Sequence, residues 1–203
     1  MTTSTDGKTI RRAQAAEATR LGSLIADAFH HLPVSAAVAA DPDERRATMA
    51  GQFEILIGHA IAYGDVYVVD GPGRELAAVA AWFRPGEIPD IERYDERLAS
   101  ACGLLTPRFV ELDALMHERH PAEPPHAYLA FLAVRSRFQN HGLGSALLTA
   151  YHPGLDATGT AAYLEASSPR SRALYTRHGY VDHGPVYGLD GGEHFWPMWR
   201  EPR

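Results

Sequence analysis

The sequence predicts one mixed α/β domain with a central, largely antiparallel sheet. Three observations carry this. The chain has 203 residues, 45% hydrophobic and 22% charged, enough for one sizeable core in a globular protein. Helix-period and strand-period segments alternate along its length. And the stretch Tyr128–Tyr151, YLAFLAVRSRFQNHGLGSALLTAY, reads as a buried strand, a basic turn and a helix in succession.

In order, residues 1–8 are polar and read as a disordered tail. Thr9–Ala13 suits a short strand. Ala16–Phe29 places Leu21, Leu24, Ile25, Ala28 and Phe29 at helical spacing, so an amphipathic helix is expected. His30–Asp41, with Pro33, reads as a connection. Pro42–His59 reads as a second helix capped by Asp41, with Met49, Phe53, Leu56 and Ile57 on one face. Gly64–Asp70 and Glu75–Phe83 are strands around Gly71-Pro72-Gly73-Arg74, a hairpin signal. Pro85–Pro89 breaks the chain, and Ile91–Cys102 and Pro107–Glu118 are helical. The proline-rich His120–Pro125 leads into the Tyr128–Val134 strand. Ser145–Tyr151 is a helix stopped by Pro153-Gly154. Ala161–Ala166 is a strand, Pro169–His178 a helix with proline in its first turn, and Gly179–His183 and His194–Trp199 the last strands.

Composition narrows function. A net charge of −6 gives no electrostatic basis for nucleic-acid binding. No run approaches the ~18 apolar residues of a membrane span, and the first residues carry no apolar leader segment. A cytoplasmic protein, monomeric or homodimeric, is the expectation. The single cysteine, Cys102, excludes an internal disulfide.

Gly142 and Gly144 lack Cβ atoms, so the backbone can turn tightly and approach a ligand. A helix start follows, with free N–H groups and a positive dipole end, which is what holding a phosphate or pyrophosphate requires. A P-loop needs Lys-Ser/Thr after its last glycine, whereas Ser145-Ala146 follows here. A dinucleotide fingerprint needs a third small residue where this chain has Leu147, and little chain remains for a second nucleotide-binding half. Glu165, near the ribose-binding distance, keeps that alternative open.

Gln139-Asn140-His141-Gly142-Leu143-Gly144, after a strand ending Leu132-Ala133-Val134, resembles the acetyl-coenzyme A signature of the GNAT N-acetyltransferase superfamily, Gln/Arg-x-x-Gly-x-Gly/Ala. Tyr163-Leu164-Glu165-Ala166 looks like that family's next strand. Leu174-Tyr175-Thr176-Arg177-His178-Gly179-Tyr180 looks like its terminal Leu/Phe-Tyr-x-x-x-Gly-Phe/Tyr. Ala28-Phe29…Pro33, Asp41-Pro42-Asp43, Gly142–Ala146 and Leu164–Ser167 are similar to the puromycin N-acetyltransferase branch. The segments that should meet substrate share pattern more than identity with it.

The resemblance implies a GNAT fold: a mixed, mostly antiparallel sheet of six to seven strands, flanked by helices and splayed at the acetyl-CoA site. It implies acetyl transfer to the primary amine of a small antibiotic-like or metabolite molecule, by direct attack in a ternary complex. The alternatives are a peptide or protein N-acetyltransferase, needing an open groove, and a catalytically silent acyl-CoA sensor. By the same resemblance, the backbone amides of Gln139, Asn140, His141, Gly142, Leu143, Gly144 and Ser145 would hold the cofactor's pyrophosphate, and Ser168 would also bind the cofactor. Leu132, Ala133 and Val134 would pair with pantetheine as a pseudo-strand.

Tyr175 matches the family's tyrosine and is the candidate general acid for the thiolate; core packing is its other reading. Glu165, inside an apolar strand, is the candidate base or substrate-binding acid; otherwise it faces solvent or pairs with an arginine such as Arg170. Phe29 and Trp82, with Phe195–Trp199, would wall the substrate pocket, or else form core or a dimer surface. His126 has a pKa suited to a base. His117 and His120 are a metal-type pair lacking a third ligand, so no metal is expected. Cys102 reads as a small packed residue.

Overall fold

The computed structural model describes residues 2–5, 8–86 and 89–203. Its strands are β1 (Thr2–Thr5), β2 (Lys8–Arg12), β3 (Asp65–Asp70), β4 (Leu76–Phe83), β5 (His126–Val134), β6 (Ala161–Ala166), β7 (Val181–Asp182) and β8 (Trp196–Arg200). They form one sheet in the order β1-β2-β3-β4-β5-β6-β8-β7, antiparallel throughout except where β5 meets β6. The helices are α1 (Ala18–Phe29), α2 (Pro33–Val38), α3 (Pro42–Tyr63), α4 (Tyr94–Cys102), α5 (Thr106–Arg119), α6 (Leu143–Ala157) and α7 (Pro169–Arg177). No helix among the described residues is long and apolar enough to cross a membrane.

The two faces of the sheet carry separate cores. On one, Val66, Val68, Val79 and Ala133 pack under Leu24, Ile57, Leu98 and Phe109 from α1, α3, α4 and α5. On the other, Ala80, Trp82, Leu129 and Leu164 pack under Leu147, Leu148 and Tyr175 from α6 and α7. The helical stripe Leu21, Leu24, Ile25 and Ala28 is buried as its spacing predicts. The Asp41 side chain caps α3, accepting from the Asp43 and Glu44 amides at 3.0 and 2.9 Å. Gly22 lets α1 and α3 touch: a Cβ there would lie 2.6 Å from the Glu54 amide nitrogen.

Several elements differ from the sequence reading. The sheet has eight strands among the described residues rather than six or seven. The eighth arises because Thr2–Thr5 pairs with β2 where a disordered tail was expected, while residues 1, 6 and 7 lie outside the described set. The break expected over Pro85–Pro89 overlaps residues 87 and 88, also outside that set. The His30–Asp41 connection contains α2, which starts on Pro33 and buries Val34 and Val38. Pro153-Gly154 does not stop α6, which runs on to Ala157. Proline there removes one intrahelical bond, but the following turn is anchored by buried Leu155 and by Asp156, which accepts from Arg200 and from the Arg203 amide.

The feature that shapes the site is the parting of β5 and β6. They pair only over His126–Tyr128 and Ala161–Tyr163. Two residues later β5 bulges: Ala81 faces Phe131 and Trp82 faces Leu129, so Ala130 is the extra residue. A bulge bends its strand, and this one falls just where β5 stops pairing with β6.

Gly22→Ala tests the α1–α3 contact. Helix propensity favours alanine by ~1 kcal/mol, yet overpacking against the α3 backbone costs about 1–3 kcal/mol. The expected net result is a lowered thermal midpoint, read by circular dichroism; an unchanged or raised one means the helices yield.

Candidate active site

Where β5 and β6 separate, a cleft of about 750 Å³ runs through the sheet. Its lining includes Leu132, Ala133 and Val134 on β5, Glu165 on β6, the Gly142–Ser145 turn, and Tyr175 on α7. The β5 backbone beyond Tyr128 has no strand partner on this side, so edge groups are available to a ligand.

The turn before α6 is an amide cradle. Asn140 and Gly142 take left-handed conformations, at φ +67° and +74°. The first bond of α6 runs from the Ala146 amide to the Gly142 carbonyl, 2.9 Å, which leaves the Leu143, Gly144 and Ser145 amides without helical acceptors. A Cβ on Gly144 would stand 3.3 Å from Leu174 and 3.7 Å from Leu132, so the second glycine lets α6 seat between α7 and β5.

The polar side chains expected to hold the cofactor are mostly engaged in building this cradle. Gln139 Nε2 donates to the Val134 carbonyl at 3.1 Å, and His141 Nδ1 bonds the Gln139 carbonyl at 2.8 Å. Ser145 Oγ meets His178 Nε2 at 2.6 Å. Ser168 caps α7 by accepting from the Ser171 amide at 3.1 Å. Arg170 donates to Gln139 Oε1 and Asn140 Oδ1, at 3.0 and 2.8 Å. Arg170 therefore clasps the cradle and does not pair with Glu165. What faces a ligand is backbone N–H and arginine charge, which suits a pyrophosphate.

Glu165 follows Tyr163 by two residues on the same face of β6, and Tyr163 stands opposite Tyr128 in the last paired register. The acid is thus ringed by Tyr128, Tyr163 and Tyr187. The Tyr187 hydroxyl donates to Oε1 at 3.3 Å, and the Tyr163 hydroxyl is buried without a well-formed hydrogen bond. Burial pushes the Glu165 pKa up, and the neighbouring tyrosine hydroxyls pull it part-way back. Tyr175 is buried on the α7 side, its ring 5.8 Å from that of Tyr180. Burial first, and the Glu165 charge second, raise the Tyr175 phenol well above its ordinary value. A carboxyl and a phenol, both with raised pKa, thus face one cleft from two elements.

Phe29 lines the cleft edge-on to Phe53, which in turn meets Phe131 edge-on, with centroids 5.8 and 5.5 Å apart. Phe195 lines it too. Trp82 does not. Strand alternation turns it to the opposite face, 0% exposed, stacked on Tyr151 at 4.4 Å beneath α6; its neighbour Phe83 reaches the cleft instead.

His126 is buried at the closed end of β5, bonded to the Pro124 carbonyl and to His120 Nε2 at 2.8 and 3.1 Å. His120 caps the end of α5 and bonds His126 instead of standing over His117 on a helical face. Cys102 is buried, bonded weakly to the Thr48 carbonyl, its pKa pushed up to about 11 by burial, a packed thiol rather than a nucleophile. Sequence reasoning missed the tyrosine ring. The i, i+2 spacing of Tyr163 and Glu165 was a usable signal; nothing local marks Tyr187.

The acetyltransferase (GNAT) family model matches residues 67–180, which spans the bulged strand, the cradle and Tyr175. The chain belongs to the GNAT acetyltransferase family. A crystal structure from Corynebacterium glutamicum ATCC 13032, described as histone acetyltransferase HPA2 and related acetyltransferase, is 30% identical, covers 97% of each chain and superposes with a TM-score of 0.72. The PaiA N-acetyltransferase of Thermoplasma acidophilum, in complex with coenzyme A, shares the fold at 10% identity, with a TM-score of 0.59 over 95% of this chain and 97% of its own. So does the ribosomal-protein-S18-alanine N-acetyltransferase of Escherichia coli, at 17% identity and TM-score 0.55 over 96% and 94%. The GNAT acetyltransferase is an enzyme whose acyl donor is acetyl-CoA.

Removing the Tyr187 hydroxyl should raise the Glu165 pKa further, because that donor favours the charged carboxylate. Tyr187→Phe is expected to shift the Glu165 carboxyl titration to higher pH in carbon-13 NMR; a downward shift contradicts the ring assignment.

Proposed function

We propose that this GNAT enzyme acetylates the primary amine of a small molecule, by direct attack while acceptor and acetyl-CoA are bound together. The observation that supports it most is one cleft through a split sheet, lined by free β5 backbone, the Gly142–Ser145 amides, Glu165 and Tyr175. Acetyl-CoA supplies the activated thioester. The Leu143, Gly144 and Ser145 amides would hold its pyrophosphate, with Arg170 adding positive charge, and β5 edge groups at Leu132–Val134 would pair with pantetheine amides.

Glu165 accepts the proton of the attacking amine, directly or through one water, as the N–C bond forms. Tyr175 Oη donates a proton to the sulfur as the C–S bond breaks. The proton held at Glu165 then replaces the one lost by Tyr175, which closes the balance. Each group is suited to its part: burial makes Glu165 a stronger base than an exposed carboxylate and keeps Tyr175 protonated.

The aromatic wall of Phe29, Phe53, Phe131 and Phe195 favours a compact apolar acceptor over an extended peptide. The likeness to the puromycin N-acetyltransferase branch points the same way, toward antibiotic-like amines, a role in resistance or tailoring, and a cytoplasmic setting.

A coenzyme A release assay over aminonucleosides, aminoglycosides, polyamines and a lysine peptide tests the reading. Release dependent on a small amine supports it, and release with the peptide alone overturns it. Tyr175→Phe is expected to lower kcat about a hundredfold with little change in coenzyme A affinity. Gly142→Ala, strained at positive φ by ~1–2 kcal/mol, is expected to weaken coenzyme A binding in calorimetry while the protein stays folded. Activity should rise with pH as Glu165 ionises, and its raised pKa puts that acid limb above the ordinary carboxylate range; a limb at or below that range removes Glu165 as the base.

A further inference from the structure

A second carboxylate lines the cleft. Asp113, on α5, is held by groups from two other helices. Its Oδ2 accepts from the Tyr94 hydroxyl of α4 at 2.5 Å, and its Oδ1 from Gln52 Nε2 of α3 at 3.5 Å. Both donors are neutral, and among the described residues no arginine, lysine or histidine pairs with Asp113. Three other carboxylates withdrawn from solvent do have cationic partners. Glu17 lies on Arg11, Asp65 meets Arg12 and Arg84, and Asp156 meets Arg200. Asp113 is half-buried, and a carboxylate withdrawn from water without a counter-charge is costly. The bond to Gln52 is long, which leaves Oδ1 free to accept a stronger donor.

The surroundings say what that donor is attached to. The α5 neighbours Leu112 and Met116 pack in the cluster that contains Tyr187 and Phe195, and Tyr187 bonds Glu165. On the other side, Gln52 adjoins Phe53, whose ring joins Phe29 to Phe131 on β5. Apolar and aromatic residues therefore line the cleft that both acids share. The cleft carries positive charge at the cradle as well, where Arg170 bonds Gln139 and Asn140. The geometry points to Asp113 as a second recognition point for the acceptor. The substrate class is an amphipathic diamine: an apolar or aromatic body with the acetylated amine at Glu165 and a second cationic nitrogen at Asp113. This rests on the acetyl-transfer reading.

The test uses the full-length protein with coenzyme A present and two probes that differ by one ammonium group, para-xylylenediamine and para-methylbenzylamine, with a longer-spaced pair built the same way. Calorimetry is expected to show one diamine binding about tenfold tighter than its monoamine partner, the range of a charge-assisted hydrogen bond. Asp113→Asn, which keeps an acceptor for Tyr94, should erase that ratio and leave monoamine and coenzyme A affinities unchanged. Asp90→Asn, at the exposed cleft rim, should leave the ratio intact. Equal binding of both probes to the wild-type protein overturns the proposal whether or not the Asp113 variant folds, as does failure of every probe to bind. An equal loss for both probes in Asp113→Asn overturns it too. Failure of the acetyl-transfer reading is distinct: coenzyme A itself then does not bind, or no amine in the panel above releases it.

Discussion

The parting of two parallel strands governs this molecule. A sheet normally satisfies its backbone groups strand by strand. Here β5 keeps its ladder with β4 to Val134 but loses β6 after Tyr128. The extra residue at Ala130 supplies the bend. The edge groups left behind can be satisfied only by a ligand with amides of its own or by water, and the opening joins two faces whose cores are otherwise separate. The cradle lies on the α6–α7 side and the aromatic wall on the α1–α5 side.

Electrostatics reinforces this division. At the cradle, positive charge comes from helix amides and arginine; elsewhere the cleft is lined by the carboxylates Asp113 and Glu165, the phenols Tyr128 and Tyr175, and the histidines His31 and His59. Glu165 is not neutralised by a guanidinium, because the nearest candidate in sequence, Arg170, is held by Gln139 and Asn140. Its partners are tyrosine hydroxyls, which stabilise the charge without cancelling it. An acid kept in this state can exchange a proton with a bound amine, which a salt-bridged one does poorly.

Much of the fold was legible because its signals are local. The α1 stripe, the Asp41 cap, the Gly71–Arg74 hairpin and the Gly142–Gly144 turn all announce themselves within a few residues. What was not legible depends on distant partners. Helix α6 outlasts Pro153 because Asp156 is tied to Arg200 and Arg203, far along the chain. Trp82 and Phe83 are adjacent aromatics, and which one meets the cleft is settled by the face each takes on β4, next to a bulge in the opposite strand. Of the site, the cradle and Tyr175 were readable through motif spacing and family likeness. The tyrosine ring and the Asp113–Tyr94–Gln52 group were not, since the first draws on β5, β6 and the segment before β8, and the second on three helices.

The open seam also bears on how long the folded protein lasts. A ligand that fills it binds only the native chain, and at a hundred times its dissociation constant such a ligand adds ~2.7 kcal/mol to folding stability. For a domain of this size that is a sizeable part of a total of about 5–15 kcal/mol. The gap between β5 and β6 therefore ties the stability of the fold to whatever ligand fills it.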